Sequence, residues 1–191
     1  MTATTVDTRS QPRGWWGIAL FVASEATLLG CVFGSYWYLR FKSERWPPQG
    51  IPEPKVLWPV VLTLLLVSTS VPMQLAFRAA KGRRVGAARS FLLLALAVQA
   101  GYLAAQLHLF LADLHAFAPQ EHAYASIYYV LVGAGHFHVA VGILLNLFLA
   151  AKLVGGLTRY RVIGLQASTF YWHFVNALSV LVVLTQISPR L

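Results

Sequence analysis

One long apolar run, from Trp15 to Arg40, limits what this chain can fold into more than any other feature. It reads WWGIALFVASEATLLGCVFGSYWYLR and carries one carboxylate, Glu25, near its middle. A helix needs roughly 20 apolar residues to cross a bilayer, and tryptophan and tyrosine are typical of its ends, where lipid meets water. The run therefore predicts a membrane-spanning helix with an acid inside it.

Glu25 has no polar partner on its own predicted helix. On a helical wheel it shares its face with apolar side chains: Phe21, Val22, Leu28, Leu29 and Val32. An ionised carboxylate near the centre of a bilayer costs at least roughly 2.5 to 3.5 kcal/mol on insertion scales. We therefore expect Glu25 to be protonated, hydrogen-bonded to another helix, or both. Ala26, Gly30 and Gly34 form a ridge of small residues on roughly the opposite face, where the backbone of another helix could approach closely.

The composition excludes an ordinary soluble domain. Of the 191 residues, 58% are hydrophobic and 11% are charged, whereas about a quarter of the residues of a soluble domain are charged. The formal net charge is +9, but the basic residues lie in short connections between apolar runs, which argues against nucleic-acid binding. The single cysteine, Cys31, lies inside the first run, so neither a disulfide framework nor a thiolate metal site is expected.

Five apolar runs follow one another along the chain, at about residues 14–40, 56–77, 89–113, 124–150 and 165–187. Each is close to one bilayer thickness at about 1.5 Å per residue. The sequence thus predicts an all-α fold, in which a single membrane domain, residues 14–191, bundles five transmembrane helices behind a polar N-terminal segment, residues 1–13. That segment has neither an apolar stretch nor a small-residue cleavage site, so no removable signal peptide is expected.

The basic residues predict how the bundle is oriented. Ten lie on the side that holds the N-terminus: Arg9, Arg13, Arg78, Lys81, Arg83, Arg84, Arg89, Lys152, Arg159 and Arg161. Five lie on the other side: Arg40, Lys42, Arg45, Lys55 and Arg190. Cytoplasmic connections carry an excess of Lys and Arg. We therefore predict that the N-terminus is cytoplasmic and that the C-terminus lies outside.

Polar side chains recur at helical intervals inside the later runs, where they should face protein rather than lipid. Those of the third run are Gln99, Tyr102, Gln106 and Asp113. Those of the fifth run are Gln166, Thr169, His173 and Asn176. In the second run Pro72 should kink the helix, because proline lacks the N–H that a helix interior needs.

The fourth run contains two histidines, His136 and His138. They lie about 200° apart around a helix and so cannot hold one metal ion together. His138 shares its face with Gly135, Gly142 and Asn146, which suits helix packing.

Three ionisable groups, Glu25, His138 and His173, fall at related depths on separate predicted helices. We expect them to form a hydrogen-bonding set inside the membrane. Two roles for that set remain open on the sequence, a route for protons and structural glue between helices.

Four short motifs carry a resemblance to a known family. They are WG at Trp16 and Gly17, FxxxE ending at Glu25, HVxxG from His138 to Gly142, and YWHFV from Tyr171 to Val175. In residue types, order and separation they make the chain resemble subunit III of haem-copper terminal oxidases of the cytochrome c oxidase type. The resemblance runs from about residue 14 to 187 and fits the short bacterial form, which has five helices.

The resemblance implies a non-catalytic subunit of an aerobic respiratory complex that reduces O2 to water and pumps protons across the bacterial plasma membrane. Such a subunit holds no haem or copper itself. It packs on the catalytic subunit I, in a complex that also contains subunit II. It binds phospholipid between its helices and supports proton uptake and turnover stability.

The resemblance also assigns candidate site residues, without a catalytic residue or a metal ligand among them. Glu25 matches the buried carboxylate that hydrophobic carbodiimides modify in the family. The candidates for a polar network or for lipid contact are His138, His173, Asn176, Trp16 and Arg161. The chain departs from the family where Gly135 replaces a histidine, and where Asn176 replaces the aspartate that commonly follows YWHFV.

Other classes of protein remain open on the sequence. One is a subunit-III-like protein of a nitric oxide reductase system, although that family more often has aspartate where Glu25 stands; another is a quinol oxidase subunit III. A membrane dihaem cytochrome would need histidine pairs on facing helices, and only His136, His138 and His173 lie well inside the runs. A small transporter or proton channel would suit the intramembrane carboxylate, but no internal repeat relates the first runs to the last.

Overall fold

The fold is a bundle of long helices. The computed structural model describes residues 13–190. The helices are α1 (Arg13–Lys42), α2 (Leu57–Ser68), α3 (Ser70–Lys81), α4 (Val85–Ala116), α5 (Ala123–Leu153) and α6 (Arg159–Ile187), followed by a 3-10 turn (Ser188–Arg190). Within these residues five segments are long and apolar enough to cross a membrane, with α2 and α3 together forming one of them. The predicted all-α bundle is confirmed, its orientation stays a prediction, and residues 1–12 of the predicted polar segment lie outside the described range.

The second span is broken where the sequence predicts a kink. Pro72 has no N–H to donate to the carbonyl of Ser68, one helical turn earlier, so α2 ends at Ser68 and α3 begins at Ser70. Between them, the hydroxyl of Thr69 donates to the carbonyl of Leu66 (2.7 Å). Both halves of the span still pack against α4 and α6.

Polar residues cap the starts of two helices. α6 begins at Arg159 instead of near residue 165, since the hydroxyl of Thr158 accepts from the backbone N–H of Arg161 (3.3 Å). α5 begins directly after His122, whose Nδ1 accepts from the backbone N–H of Tyr124 (3.1 Å). Each cap satisfies a backbone donor that the first turn of a helix leaves without a partner.

α6 lies at the centre of the bundle. It packs against α1, α2, α3 and α5, while α4 packs against α2, α3 and α5. Where α5 and α6 meet, a Cβ atom added at Gly142 would lie 2.6 Å from Cζ2 of Trp172, which is fully buried. Only glycine allows this approach. The face of α5 that carries His138 and Gly142 therefore packs against another helix, as predicted.

The loop after α1 contributes to the core at one end of the bundle. Trp46 donates its Nε1–H to the hydroxyl of Tyr36 (2.9 Å), and that hydroxyl donates to the carbonyl of Thr185 near the end of α6 (2.9 Å). The Trp46 ring also stands edge-on to Tyr124, with ring centroids 4.9 Å apart. The loop thus ties α1, α5 and α6 together.

α1 lies at the edge of the bundle. It packs against α5 and α6, and its outward side chains include Leu20 (69% exposed) and Leu28 (61% exposed). A Cβ atom added at Gly30 or Gly34 would meet no atom within 4 Å. Among residues 13–190, then, no helix covers the predicted ridge of small residues.

Candidate functional site

Glu25 and His138 meet between α1 and α5. Oε2 of Glu25 lies 3.2 Å from Nε2 of His138. The side chain of His138 is 6% exposed and that of Glu25 is 26% exposed. The acid inside the first span therefore has the hydrogen-bond partner on another helix that the sequence predicts.

The second ring nitrogen of His138 determines how the pair can share a proton. Nδ1 lies 2.7 Å from the carbonyl oxygen of Ala134, one turn earlier on α5. Because a carbonyl can only accept, Nδ1 carries a proton. The carboxyl group of Glu25 then donates to Nε2 when the imidazole is neutral, and its carboxylate accepts from Nε2 when the ring is an imidazolium. In both forms the pair is neutral overall, which suits its position inside a membrane.

Aromatic side chains of α6 close the site. The hydroxyl of Tyr171 donates to the backbone carbonyl of His138 (2.9 Å). The ring of Phe174 stands edge-on to the imidazole, with centroids 6.0 Å apart, and the ring of Tyr171 lies 6.4 Å from that of Phe21 on α1. Because Tyr171 is fully buried, its hydrogen bond holds α5 in place at His138.

His173 does not join the pair, so the expectation that three ionisable groups form one set is wrong for this residue. Its side chain is exposed. His173 follows Tyr171 by two residues, about 200° around the helix, and it faces away from α5 because Tyr171 faces toward it. Within residues 13–190, no three His, Cys, Asp or Glu side chains come close enough to hold a metal ion.

The remaining candidates lie at other places in the bundle. Nδ2 of Asn176 donates to Oγ of Ser70 (2.7 Å) and so joins α6 to α3. Nη1 of Arg161 donates to the carbonyl of Gly156 (2.7 Å), in the turn between α5 and α6. Trp16 is 54% exposed near the start of α1. Asn176 and Arg161 therefore hold helices together, and lipid contact at any of the three stays a prediction.

A second polar cluster, centred on Asn146, joins α4, α5 and α6. Nδ2 of Asn146 on α5 donates to Oε1 of Gln99 on α4 (2.9 Å), and Oγ of Ser168 on α6 donates to Oδ1 of Asn146 (2.7 Å). Nε2 of Gln99 reaches Oγ1 of Thr69 at the break between α2 and α3 (3.4 Å). The sequence predicts that Asn146 and Gln99 face protein, but their pairing depends on how the helices cross and is visible only in the structure.

Comparison with known proteins finds one family along nearly the whole chain. The model of the family described as "Cytochrome c oxidase subunit III" matches residues 6–187. Cytochrome c oxidase subunit 3 of Synechocystis sp. is 28% identical over 163 residues, which cover 84% of this chain and 69% of the relative. The subunit 3 of Thermostichus vulcanus is 29% identical over 164 residues (85% and 80%). That of Bacillus subtilis is 25% identical over 181 residues (93% and 86%).

Proposed function

The chain belongs to the cytochrome c oxidase subunit III family, and we propose that it acts as the non-catalytic third subunit of an aerobic respiratory haem-copper oxidase. The complex reduces O2 to water and pumps protons, and its haem and copper centres lie in partner subunits. This chain packs on subunit I, in a complex with subunit II. It holds phospholipid and supports proton uptake and turnover stability in a bacterial plasma membrane.

The observation that carries the proposal is that three of the four family motifs meet in one place. Glu25 of the FxxxE motif contacts His138 of HVxxG. Tyr171 of YWHFV donates to the carbonyl of His138. Trp172 of the same motif fills the space that Gly142 of HVxxG leaves open. Distant segments of the chain thus meet at one hydrogen-bonded pair of an acid and a histidine, which suits a subunit that assists proton uptake.

The open ridge on α1 supports packing on another subunit. Ala26, Gly30 and Gly34 are exposed, and small residues at four-residue intervals let two membrane helices approach closely. No helix of the described chain uses this ridge. In our proposal it is the surface on which subunit I docks.

An open basic pocket supports lipid binding. It has a volume of about 620 Å³ and lies between the turn after α3 and the start of α6. Lys81, Arg83 and Arg159 line it together with apolar side chains such as Leu157 and Ile163. The combination fits a phosphate headgroup beside the first carbons of an acyl chain, since each basic residue near a membrane surface contributes about 1 kcal/mol toward an anionic lipid.

Purification through a tag on this chain tests the proposed function. A haem-copper oxidase that contains subunits I and II should co-purify. Membranes from cells without the chain should contain an oxidase that loses activity faster during turnover. If the tagged chain is recovered alone with a haem spectrum of its own, it is a membrane cytochrome and the proposal fails.

Leucine at the ridge should weaken docking on subunit I. The double variant Gly30→Leu/Gly34→Leu is expected to recover less subunit I in the same purification, while the bundle itself folds because the ridge touches nothing within it. Gly101→Leu on α4 is the matched control, since a Cβ atom added there also meets no atom within 4 Å. Equal recovery of subunit I with both variants would locate the interface elsewhere.

Removal of positive charge from the basic pocket should release phospholipid. The triple variant Lys81→Gln/Arg83→Gln/Arg159→Gln is expected to retain less phospholipid per purified complex, as measured by extraction and mass spectrometry. The control is Lys152→Gln, an exposed residue in the last turn of α5. A comparable loss in the control would mean that lipid responds to overall charge and not to the pocket.

A further inference from the structure

Three cavities in a line enter the bundle from the end that carries Lys55 and Asp113. The outermost lies at the surface and has a volume of about 170 Å³. The middle one, of about 20 Å³, shares Lys55 and Asp113 with it. The innermost, also of about 20 Å³, shares Gln106 and Gln186 with the middle one and is lined by His136.

The inner end of this line lies deep in the membrane-spanning region. His136 is 13 residues from the start of α5 at Ala123, which corresponds to about 20 Å along the helix axis in a hydrocarbon core of roughly 30 Å. Nδ1 of His136 is buried and has no hydrogen-bond partner within the described part of the chain. A buried polar atom without a partner is destabilising. A water molecule beside the ring would remove that penalty.

Polar groups line the outer part of the path. Nζ of Lys55 lies 3.7 Å from Oδ1 of Asp113. The hydroxyl of Tyr128 donates to Oδ2 of Asp113 (2.8 Å), and Nε2 of Gln186 donates to the hydroxyl of Tyr128 (3.5 Å). Hydrogen-bond donors and acceptors thus continue from the charged pair at the surface to Gln186, which borders both small cavities.

Polar groups also line the inner part. Tyr102, Thr63, Gln106 and Ser179 all carry polar side-chain atoms, and all four residues border the innermost cavity beside His136. A buried water molecule needs a cavity of roughly 10 to 15 Å³ and two to four polar partners. Each of the two small cavities meets both conditions for about one water molecule.

We propose that this line is a hydrated inlet, in which a file of bound waters connects His136 to the aqueous phase at the Lys55–Asp113 end of the bundle. Its ligand is water. The inlet is distinct from the Glu25 site, because His136 and His138 lie on opposite sides of α5. The two histidines therefore serve separate polar sites.

Hydroxyl-radical footprinting of the purified complex tests the proposal, because radicals formed from water by X-rays oxidise side chains that touch bound water. His136 and Tyr102 should be oxidised several-fold faster than Tyr171, which is fully buried and whose hydroxyl is already hydrogen-bonded within the protein. The comparison is stringent, since tyrosine is intrinsically more reactive than histidine. Oxidation of His136 no faster than that of Tyr171 would overturn the proposal.

A methyl group placed in the innermost cavity provides the matched variant. At Gly135 an added Cβ atom has Cγ2 of Val182 as its nearest neighbour at 3.8 Å, an ordinary contact, so Gly135→Ala should fold. It should lower the oxidation of His136 several-fold by taking the space of a water molecule. The control is Gly133→Ala, where an added Cβ atom meets nothing within 4 Å, and it should leave the rate unchanged. An unchanged rate in Gly135→Ala would contradict the inlet.

Discussion

The side chain of Glu25 is partly buried against His138 and partly exposed at the edge of the bundle. It is 26% exposed at the edge of the bundle, whereas its partner His138 is 6% exposed. The acid is therefore open to a reagent that dissolves in lipid. Glu44, by contrast, lies in the exposed loop after α1, where water-soluble reagents reach it.

Glu25→Gln should leave assembly of the chain intact and abolish labelling by a hydrophobic carbodiimide. Assembly should survive because the amide can still donate to Nε2 of His138, as a protonated carboxyl group does. Mass spectrometry of the labelled chain measures the result. Labelling that persists in the variant would show that another acid reacts, and His138→Phe, which keeps the carboxyl group, should still be labelled.

Gly142→Ala should destabilise the bundle, because its Cβ atom would overlap the buried ring of Trp172. Overpacking of this kind typically costs about 1 to 3 kcal/mol. Unfolding in a mixed-detergent titration measures the change. Gly133→Ala on the same helix has open space at the added atom and should be close to wild type; similar losses in both variants would indicate a general effect of helix propensity.

At this scale the sequence predicts part of the site. The depth of Glu25 and its apolar surroundings require a partner on another helix, and His138 is that partner. The same reasoning fails for His173, because a helical wheel shows which residues share a face but not how the helix is rotated toward its neighbours. Tyr171, which fixes that rotation through the carbonyl of His138, carries no sequence signal of its role beyond its place in the YWHFV motif.

At the scale of the helices, the cluster centred on Asn146 holds the bundle together through hydrogen bonds between helices. Lipid chains are as apolar as leucine, so helices are held by close packing and by hydrogen bonds between them. Asn146 and Gln99 are both fully buried, and through Ser168 and Thr69 they join α4, α5 and α6 to the break between α2 and α3.

Asn146→Leu should lower the free energy of unfolding by about 1 to 3 kcal/mol, because it leaves Oε1 of Gln99 and the hydroxyl of Ser168 without their buried partner. Thermal or detergent-induced unfolding of the purified chain measures the change. Gln166→Leu, at a half-buried position on α6, is the control and should have a smaller effect. Equal effects would mean that the cluster adds nothing beyond burial of an amide.

The helices themselves follow closely from the sequence, whereas their ends do not. Apolar runs locate each span and Pro72 locates the break. The additional turns at the start of α6, from Arg159, depend on the cap by Thr158, and the start of α5 depends on the cap by His122. Threonine is a common cap and could have been recognised, but histidine is not among the residues that usually occupy this position.

For the molecule as a whole, the distribution of basic residues predicts the orientation, and single cysteines can measure it. The native Cys31 is exposed and would first be replaced by serine. Gln49→Cys in the loop after α1 should then react with a membrane-impermeant maleimide on intact spheroplasts. Gly82→Cys, in the turn after α3, should react only after the membrane is opened. The reverse pattern would invert the predicted orientation.

The five apolar runs in the sequence predict the number of spans, but they do not predict the functional surfaces of the whole bundle. The uncovered ridge of Gly30 and Gly34 is recognised only when every neighbouring helix is in place. The cavities that lead to His136 likewise arise from side chains of α2, α4, α5 and α6 together. The ridge and the cavities depend on how the helices pack, and the pattern of apolar and polar residues along the sequence does not predict that packing.

The pairing of α1 with α5 also has a consequence during biosynthesis. Glu25 and His138 are separated by 113 residues in the chain. At about 5 to 20 residues per second of translation, His138 emerges from the ribosome roughly 6 to 23 s after Glu25. During that interval Glu25 lies in the nascent first span before its hydrogen-bond partner has been synthesised. The insertion machinery must therefore keep Glu25 out of the lipid until the fourth span is inserted.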